Sequence, residues 1–203
     1  MFLKRLFDII LSALAIIILS PVFVIIAILV IITDGLPIIY KQQRVGKNCK
    51  MFTMYKLRTM TNRIVEKDIA DLGDSSRITK IGKFLRKTKL DELPQLFNVL
   101  KGDMSIVGPR PELKSRLQYY KSHWDKVYSV RPGITCNSSI IFRNEEELLK
   151  GVDDPQQYYI DVLLPKKIAM YEEYVDKRNF IYDLLIIFKT IMSIFFGKKY
   201  DKI

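Results

Sequence analysis

The run "IILSALAIIILSPVFVIIAILVIIT", residues 9–33, decides how the rest of the chain is organised, because it contains no charged residue. As a helix it is long enough for the roughly 20 residues that cross the hydrocarbon core of a bilayer. Lys4 and Arg5 precede it, as in a secretory signal peptide, but the apolar part of such peptides has about 7–15 residues and ends at a small-x-small cleavage site. The run is longer and lacks that ending. The sequence therefore predicts a retained membrane segment over residues 1–34 and a catalytic or binding body over residues 35–203.

The middle of this segment contains Ser20-Pro21. Pro21 cannot donate a hydrogen bond to the Ile17 carbonyl, so a bend is expected, and the Ser20 hydroxyl can bond back toward Ile16 and widen it. A helix that enters, bends and leaves by the same face keeps both flanks in the cytoplasm, whereas a spanning helix with a proline kink is also tolerated in bilayers. Basic residues flank the segment on both sides, so the positive-inside rule gives no orientation, and the residues alone leave both topologies open.

The composition indicates a basic body attached to this segment. The chain has 49% hydrophobic residues, 27% charged residues and a net charge of +11. Such a charge favours nucleic acid, an anionic membrane face or a phosphate-bearing substrate as partner. The two cysteines, Cys49 and Cys136, are far apart and form no CxxC motif, which predicts neither a disulfide framework nor a zinc site.

The body is predicted to be mainly α with a short β-hairpin. Residues 37–60 alternate loosely around Gly46-Lys47-Asn48, a turn signal, and predict the hairpin. Residues 61–76 are polar and predict a connecting loop. Helical periodicity then predicts a helix that begins at residue 77 and further helices over residues 113–130, 166–178 and 180–196. The last of these is interrupted by charges, which favours a core or interfacial helix over a second membrane span.

The stretch "KLDELPQLFNVLKGDMSIVGPRP", residues 89–111, contains the candidate chemistry. Its leucines have helical spacing up to Lys101-Gly102, and Pro94 suits a first turn, which places Asp91 and Glu92 at a helix N-terminus. Acids there commonly complement the helix dipole. A helix N-terminus is also a phosphate site, and an arginine fixed between two prolines, Arg110, suits a phosphate clamp.

Carboxylates and cations in this arrangement can carry phosphoryl chemistry. One carboxylate can attack phosphorus and form an acyl phosphate. A divalent ion such as Mg²⁺, which favours oxygen ligands, would neutralise the phosphates. Cationic side chains would balance the remaining charge, although each is equally explained as a solvated surface charge; the candidates are Lys56, Arg58, Arg86 and Lys87.

Over nearly its whole length the chain resembles the bacterial sugar transferases, the small monotopic polyprenyl-phosphate phosphoglycosyl transferases. The resemblance rests on "KRLFD" at 4–8, Ser20-Pro21, "YKLRTM" at 55–60, the block at 89–111 and "RPGIT" at 131–135. It implies a re-entrant membrane helix, a small cytosolic helical domain and an Asp-Glu catalytic dyad.

For the matching positions of this sequence, the resemblance implies that Asp91 is the nucleophile, Glu92 a Mg²⁺ ligand and Arg110 a phosphate clamp. The implied reaction moves a phosphosugar from a UDP-sugar to polyprenyl (undecaprenyl) phosphate through a covalent intermediate and releases UMP, as the first membrane step of glycan assembly. The implied location is the cytosolic face of the bacterial inner membrane, with the lipid bilayer as a partner and without nucleic acid. Whether the protein forms a homodimer is left open.

The chain departs from the family pattern after residue 135. It reads "CNSSIIFRNEEEL", with Cys136 and Phe142 where glycines are expected, so the identity of the sugar stays open and Arg131, Gly133 and Arg143 are weaker site candidates. Two other functions are alternatives to phosphosugar transfer. A membrane-bound nucleotide-diphosphate hydrolase would use the same groups but transfer to water, and a basic membrane adaptor would leave the Asp-Glu pair and the Pro-Arg-Pro element unexplained.

Overall fold

The structure is a computed structural model that describes residues 2–61 and 77–196. The predicted loop at 61–76 lies outside the described residues, except for residue 61. The membrane segment forms one long helix, α1, over Phe2–Asp34 with Pro21 inside it. The Ser20 hydroxyl donates to the Ile17 carbonyl at 2.8 Å, one residue later than the sequence suggested. Within the described residues, α1 alone is long and apolar enough to cross a membrane.

Both ends of α1 pack on the same body. Near its start Asp8 and Ser12 are buried, and Phe7 makes an edge-to-face contact with Phe180 at 5.2 Å. Near its end Ile26 and Val30 are buried in a core cluster that includes residues of the hairpin and of the next helix. Six apolar residues between these ends are exposed: Leu14, Ile17, Ile18, Val22, Val24 and Ile25. The helix is thus attached at both ends and unpartnered in the middle.

The predicted hairpin is confirmed. Strands β1 (Ile39–Val45) and β2 (Met51–Leu57) pair antiparallel, with Ile39 opposite Leu57 and Val45 opposite Met51. The turn between them contains a short 3-10 segment, Lys47–Cys49, at the predicted place. Both cysteines are free thiols, and Cys136 is buried.

The central block begins with α2 (Lys80–Thr88), where Thr79 caps the helix by accepting from the Gly82 amide. A 3-10 turn, Leu90–Glu92, separates it from α3 (Gln95–Lys101), which ends at Gly102 with φ of 95°. Asp91 and Glu92 therefore lie in a turn before α3 rather than in its first turn. A short parallel pair, β3 (Ser105–Val107) and β4 (Gly133–Thr135), follows and was not predicted from the sequence.

The rest of the body is helical. A single helix over 113–130 is a wrong prediction: a 3-10 segment at Lys114–Gln118 and α4 (Lys121–Val127) are separated by Tyr120, whose φ of 54° does not fit a helix. Next come α5 (Asn137–Ile141), α6 (Glu145–Leu149), α7 (Pro155–Tyr158), a π-helical turn at Tyr159–Leu163 and α8 (Leu164–Lys177). The last described helix, α9 (Phe180–Phe196), buries one face and exposes an apolar face, as predicted for a core or interfacial helix.

Candidate active site

The two adjacent carboxylates are placed by the sharp turn between α2 and α3. Lys89 ends α2 in the left-handed conformation, with φ of 60°, and its amide donates to the carbonyls of Leu85 and Arg86. The chain then turns through Leu90–Glu92, and both Asp91 and Glu92 are buried, at 7% and 8% exposure. Two carboxylates this deeply buried need compensating charge nearby.

Glu92 receives that compensation directly. Its Oε1 accepts from Lys56 Nζ at 3.0 Å and from Arg110 Nη2 at 2.8 Å. Burial alone would raise the pKa of Glu92, but Arg110, Lys56 and Lys89 outweigh it and hold that pKa well below its ordinary value. Glu92 in turn raises the pKa of Arg110. Glu92 is therefore ionised and orients two cations on one oxygen.

Asp91 is held differently. Its Oδ1 is buried and has no hydrogen-bond partner in the part of the chain that the structure describes. Burial is the largest cause of its raised pKa, and Glu92 adds to it, while Lys56, Lys89 and Arg86 oppose it. An unpartnered carboxylate oxygen with raised basicity, surrounded by cations, is suited to attack an electrophile that brings its own negative charge.

Lys89 belongs to this cation group, although sequence reasoning did not select it. Burial lowers its pKa, and it interacts electrostatically with Glu92, Arg110, Asp91 and Lys56. The only signal in the sequence was its position two residues before Asp91, and that position does not distinguish one lysine from the many other basic residues.

Arg110 is supplied by a loop that follows β3. The backbones of Gly108 and Gly133 touch there: a Cβ on Gly133 would lie 2.5 Å from the Gly108 carbonyl oxygen. The Gly133 amide donates to the Pro109 carbonyl at 2.8 Å, and the Gly108 amide donates to the Thr135 carbonyl at 3.1 Å. Gly133 thus serves the site by allowing two backbones to approach, so that the loop presents Arg110 to Glu92.

The remaining sequence candidates differ in whether they contact the two carboxylates. Arg86 Nε donates to Thr59 Oγ1 at 3.0 Å and interacts electrostatically with Asp91. The structure does not bring the other four to the carboxylates. Arg58 donates to the backbone carbonyls of residues 34, 35 and 36 at the end of α1. Arg131 donates to the Gly102 carbonyl at 2.7 Å, and Arg143 donates to the carbonyls of Ser193 and Lys87. The Lys87 side chain is exposed.

The divergent segment after residue 135 is built into the body. Cys136 is buried, with its thiol 3.1 Å from the hydroxyls of Ser138 and Ser139. Phe142 packs against the largest core cluster. These contacts give a packing reason for side chains where the family pattern has glycine.

The start of α1 is attached directly to the segment that carries the site. Arg5 donates to the carbonyls of Val99 and Leu100 at 2.7 and 3.0 Å, at the end of α3. Asp8 accepts from the Ser105 hydroxyl at 2.8 Å and from the Ile106 amide at 3.2 Å. The membrane helix and the loop before Arg110 are therefore one connected structure.

The donor set of the dyad is compatible with Mg²⁺. The described residues contain no group of three or more His, Cys, Asp or Glu side chains that would hold a metal ion unaided. Mg²⁺ is usually bound through one or two carboxylates together with substrate phosphates, and adjacent carboxylates with an unpartnered oxygen meet that requirement.

Comparison with known proteins gives consistent matches over the whole chain. The family described as bacterial sugar transferase matches residues 1–197. The exopolysaccharide production protein ExoY of Sinorhizobium fredii is 35% identical over an alignment of 207 positions, which covers 94% of this chain and 84% of the relative. The uncharacterized sugar transferase EpsL of Bacillus subtilis is 38% identical and covers 96% of this chain and 88% of its own length.

A third relative is much longer than this chain. The undecaprenyl-phosphate galactose phosphotransferase of Salmonella typhimurium is 38% identical over an alignment of 205 positions, which covers 93% of this chain but 40% of that protein. The chain thus spans most of ExoY and EpsL and less than half of the galactose phosphotransferase.

Proposed function

The chain belongs to the bacterial sugar transferase family, and from this premise we propose that it transfers a phosphosugar from a UDP-sugar to polyprenyl (undecaprenyl) phosphate at a membrane surface. One observation carries the proposal: the unpartnered, buried Oδ1 of Asp91 lies beside a Glu92 that holds Lys56 and Arg110. The printed name of the Salmonella relative supports the acceptor class.

The reaction proceeds in two displacements at phosphorus. Asp91 Oδ1 attacks the β-phosphorus of the UDP-sugar, the bond from that phosphorus to the bridging oxygen breaks, and UMP leaves with the bonding electrons. The product is an acyl phosphate between Asp91 and the phosphosugar. A phosphate oxygen of the polyprenyl phosphate then attacks the same phosphorus, the Asp91 carboxylate leaves, and a diphosphate-linked sugar is formed.

The cations around the dyad lower the cost of bringing an anionic nucleophile to an anionic diphosphate. Lys56, Arg110 and Lys89 offset the charge of Glu92 before substrate binds and face the phosphoryl oxygens as charge spreads over them. Arg110 offers a planar fork that binds phosphate oxygens in pairs. The two carboxylates alone would repel the diphosphate. Lys56, Arg110 and Lys89 together outweigh that negative charge, so the site attracts it.

Mg²⁺ is part of this proposal. Glu92, with the diphosphate oxygens of the substrate, would hold it, and when bound it would neutralise phosphate charge. Removal of divalent ions is expected to abolish UMP release, and the addition of Mg²⁺ to restore it.

For the membrane segment we propose a re-entrant topology at the cytosolic face of the inner membrane. It is supported by the attachment of both ends of α1 to one body and by the exposed apolar residues between them. In a Cys49→Ser background, Phe2→Cys and Leu36→Cys are expected to react with an impermeant thiol reagent from the same side of inner-membrane vesicles. A spanning helix would be labelled from opposite sides.

The proposal is tested by UMP release from a panel of UDP-sugars with and without polyprenyl phosphate. The wild type is expected to release one equivalent of UMP without lipid and to turn over with it; turnover without lipid would instead indicate a hydrolase. Asp91→Asn is expected to lose both phases, while the exposed Asp153→Asn serves as the matched control. UMP turnover by Asp91→Asn at the wild-type rate would refute the proposal.

A further inference from the structure

The loop that carries Arg110 is held by its backbone carbonyls. Five of them, over residues 107–112, accept hydrogen bonds from distant parts of the chain. Val107 accepts from Lys4 Nζ and the Tyr174 hydroxyl, Pro109 from the Gly133 amide, Arg110 from the Tyr128 hydroxyl, Pro111 from Arg44 Nη1, and Glu112 from the Val45 amide. The backbone on both sides of the Arg110 side chain is thus fixed from several directions.

Tyr128 differs from the other contacts because its hydroxyl forms hydrogen bonds to the loop on both sides of Pro111. The hydroxyl oxygen accepts from the Glu112 amide at 2.9 Å and donates to the Arg110 carbonyl at 3.3 Å. A tyrosine hydroxyl has one proton to donate and lone pairs to accept, so this arrangement uses both capacities. One oxygen atom therefore sets the distance between the residues before and after Pro111.

Tyr128 is itself firmly held. Its side chain is completely buried and its ring stacks on Trp124, with 5.7 Å between centroids and an angle of 15° between planes. Its amide donates to the Trp124 carbonyl at 2.8 Å, and its carbonyl accepts from the Asn48 amide at 2.7 Å. Burial, and then Glu112, raise the pKa of Tyr128 well above its ordinary value, so the hydroxyl keeps its proton.

We propose that Tyr128 is a positioning residue for phosphate binding: its hydroxyl fixes the backbone of Arg110 so that the guanidinium is presented to Glu92 and to the diphosphate. The inference rests on the proposed function. Its physical basis is that a long side chain gives precise electrostatic stabilisation only from a fixed backbone, since otherwise ordering it costs entropy at each binding event. Without the hydroxyl, the buried Glu112 amide loses its partner and the loop relaxes.

Tyr128→Phe removes only that oxygen. We expect kcat/KM for UMP release from the preferred UDP-sugar to fall about tenfold or more, because misplaced binding groups lose much of their effect. Tyr182→Phe is the matched control, since its hydroxyl accepts from the side-chain amide of Asn137 at 2.9 Å and makes no hydrogen bond to the loop among the described residues; its kcat/KM is expected to stay within about twofold.

A double-mutant cycle with Arg110→Lys separates positioning from general stability. A lysine ammonium is a flexible point charge whose binding depends less on backbone orientation. In the Arg110→Lys background, Tyr128→Phe is therefore expected to change kcat/KM by less than about twofold, although its effect on the melting temperature stays the same. The inference is overturned if Tyr128→Phe keeps the wild-type kcat/KM, or if its loss is the same in both backgrounds. A wild-type protein that releases UMP from none of the UDP-sugars would overturn the proposed function, and this inference with it.

Discussion

The close approach of Gly108 and Gly133 makes the position of the Arg110 loop sensitive to a single methyl group on Gly133. A Cβ on Gly133 would lie 2.5 Å from the Gly108 carbonyl oxygen, 2.7 Å from its Cα and closer still to its nitrogen. Ordinary van der Waals contact for a Cβ begins at 3.4 Å, so Gly133→Ala must move the two segments apart by at least about 0.9 Å, the difference between 3.4 and 2.5 Å at the carbonyl oxygen, and by more at the nitrogen. The neighbouring atoms are backbone and cannot rotate away.

This displacement occurs directly before Arg110. The hydrogen bond from the Gly133 amide to the Pro109 carbonyl, now 2.8 Å, would be stretched beyond hydrogen-bonding distance. A misplacement of about 1 Å in a group that positions a substrate can cost about 100-fold in rate, and overpacking of this kind costs about 1–3 kcal/mol of stability. We therefore expect Gly133→Ala to fold but to release UMP about 100-fold more slowly.

The assay is single-turnover UMP release, with chemical denaturation measured on the same preparations. Gly151→Ala is the control, because a Cβ on Gly151 meets no atom within 4 Å; it is expected to match the wild type in both measurements. Wild-type UMP release by Gly133→Ala would show that the contact between these two backbones does not position Arg110, and the reasoning on the loop would be refuted.

Two further predictions concern buried charges outside the dyad. Lys4→Met is expected to lower the free energy of unfolding by about 3 kcal/mol, because it leaves the buried Asp183 without its cationic partner at 2.6 Å, and to be strongly non-additive with Asp183→Asn. Lys126→Met, which breaks an exposed ion pair, should cost less than about 1 kcal/mol, and a cost equal to that of Lys4→Met would contradict the coupling. Burial alone would raise the pKa of Glu112, but nearby cations lower it to about 2 from 4.5, so its stabilisation is present above pH 4.5 and is lost as pH falls toward 2. Relative to Glu112→Gln, the wild type is expected to lose about 3 kcal/mol over that pH range in denaturation curves, and parallel curves would contradict this assignment.

Local signals in the sequence predicted much of the fold. The charge-free run at 9–33 predicted α1, the alternation around Gly46 predicted the hairpin, and the leucine spacing with Gly102 predicted α3 and its end. Each of these signals acts within one element. The predicted helix over 113–130 was wrong at Tyr120, whose φ of 54° no local signal indicated, and the pairing of β3 with β4 was missed because it joins segments that are far apart in the chain.

The site shows the same division. Asp91, Glu92 and Arg110 were predicted from motifs, and the structure places Arg110 on Glu92 as an ion pair at 2.8 Å. Of the other cations, Lys56 reaches the dyad, whereas Arg58, Arg131 and Arg143 donate to backbone carbonyls elsewhere. A basic residue has the same local sequence signal whether it binds substrate or caps a helix, so only the fold distinguishes these roles.

In the proposed reaction, Asp91 becomes covalently linked to the phosphosugar. The most direct test of this linkage is intact-protein and peptide mass spectrometry after incubation with the preferred UDP-sugar and Mg²⁺ in the absence of lipid. We expect an added mass of one phosphosugar on the peptide that contains Asp91, which disappears when polyprenyl phosphate is added and never forms on Asp91→Asn. Full turnover by a protein that never carries this adduct, or an adduct on another residue, would contradict it.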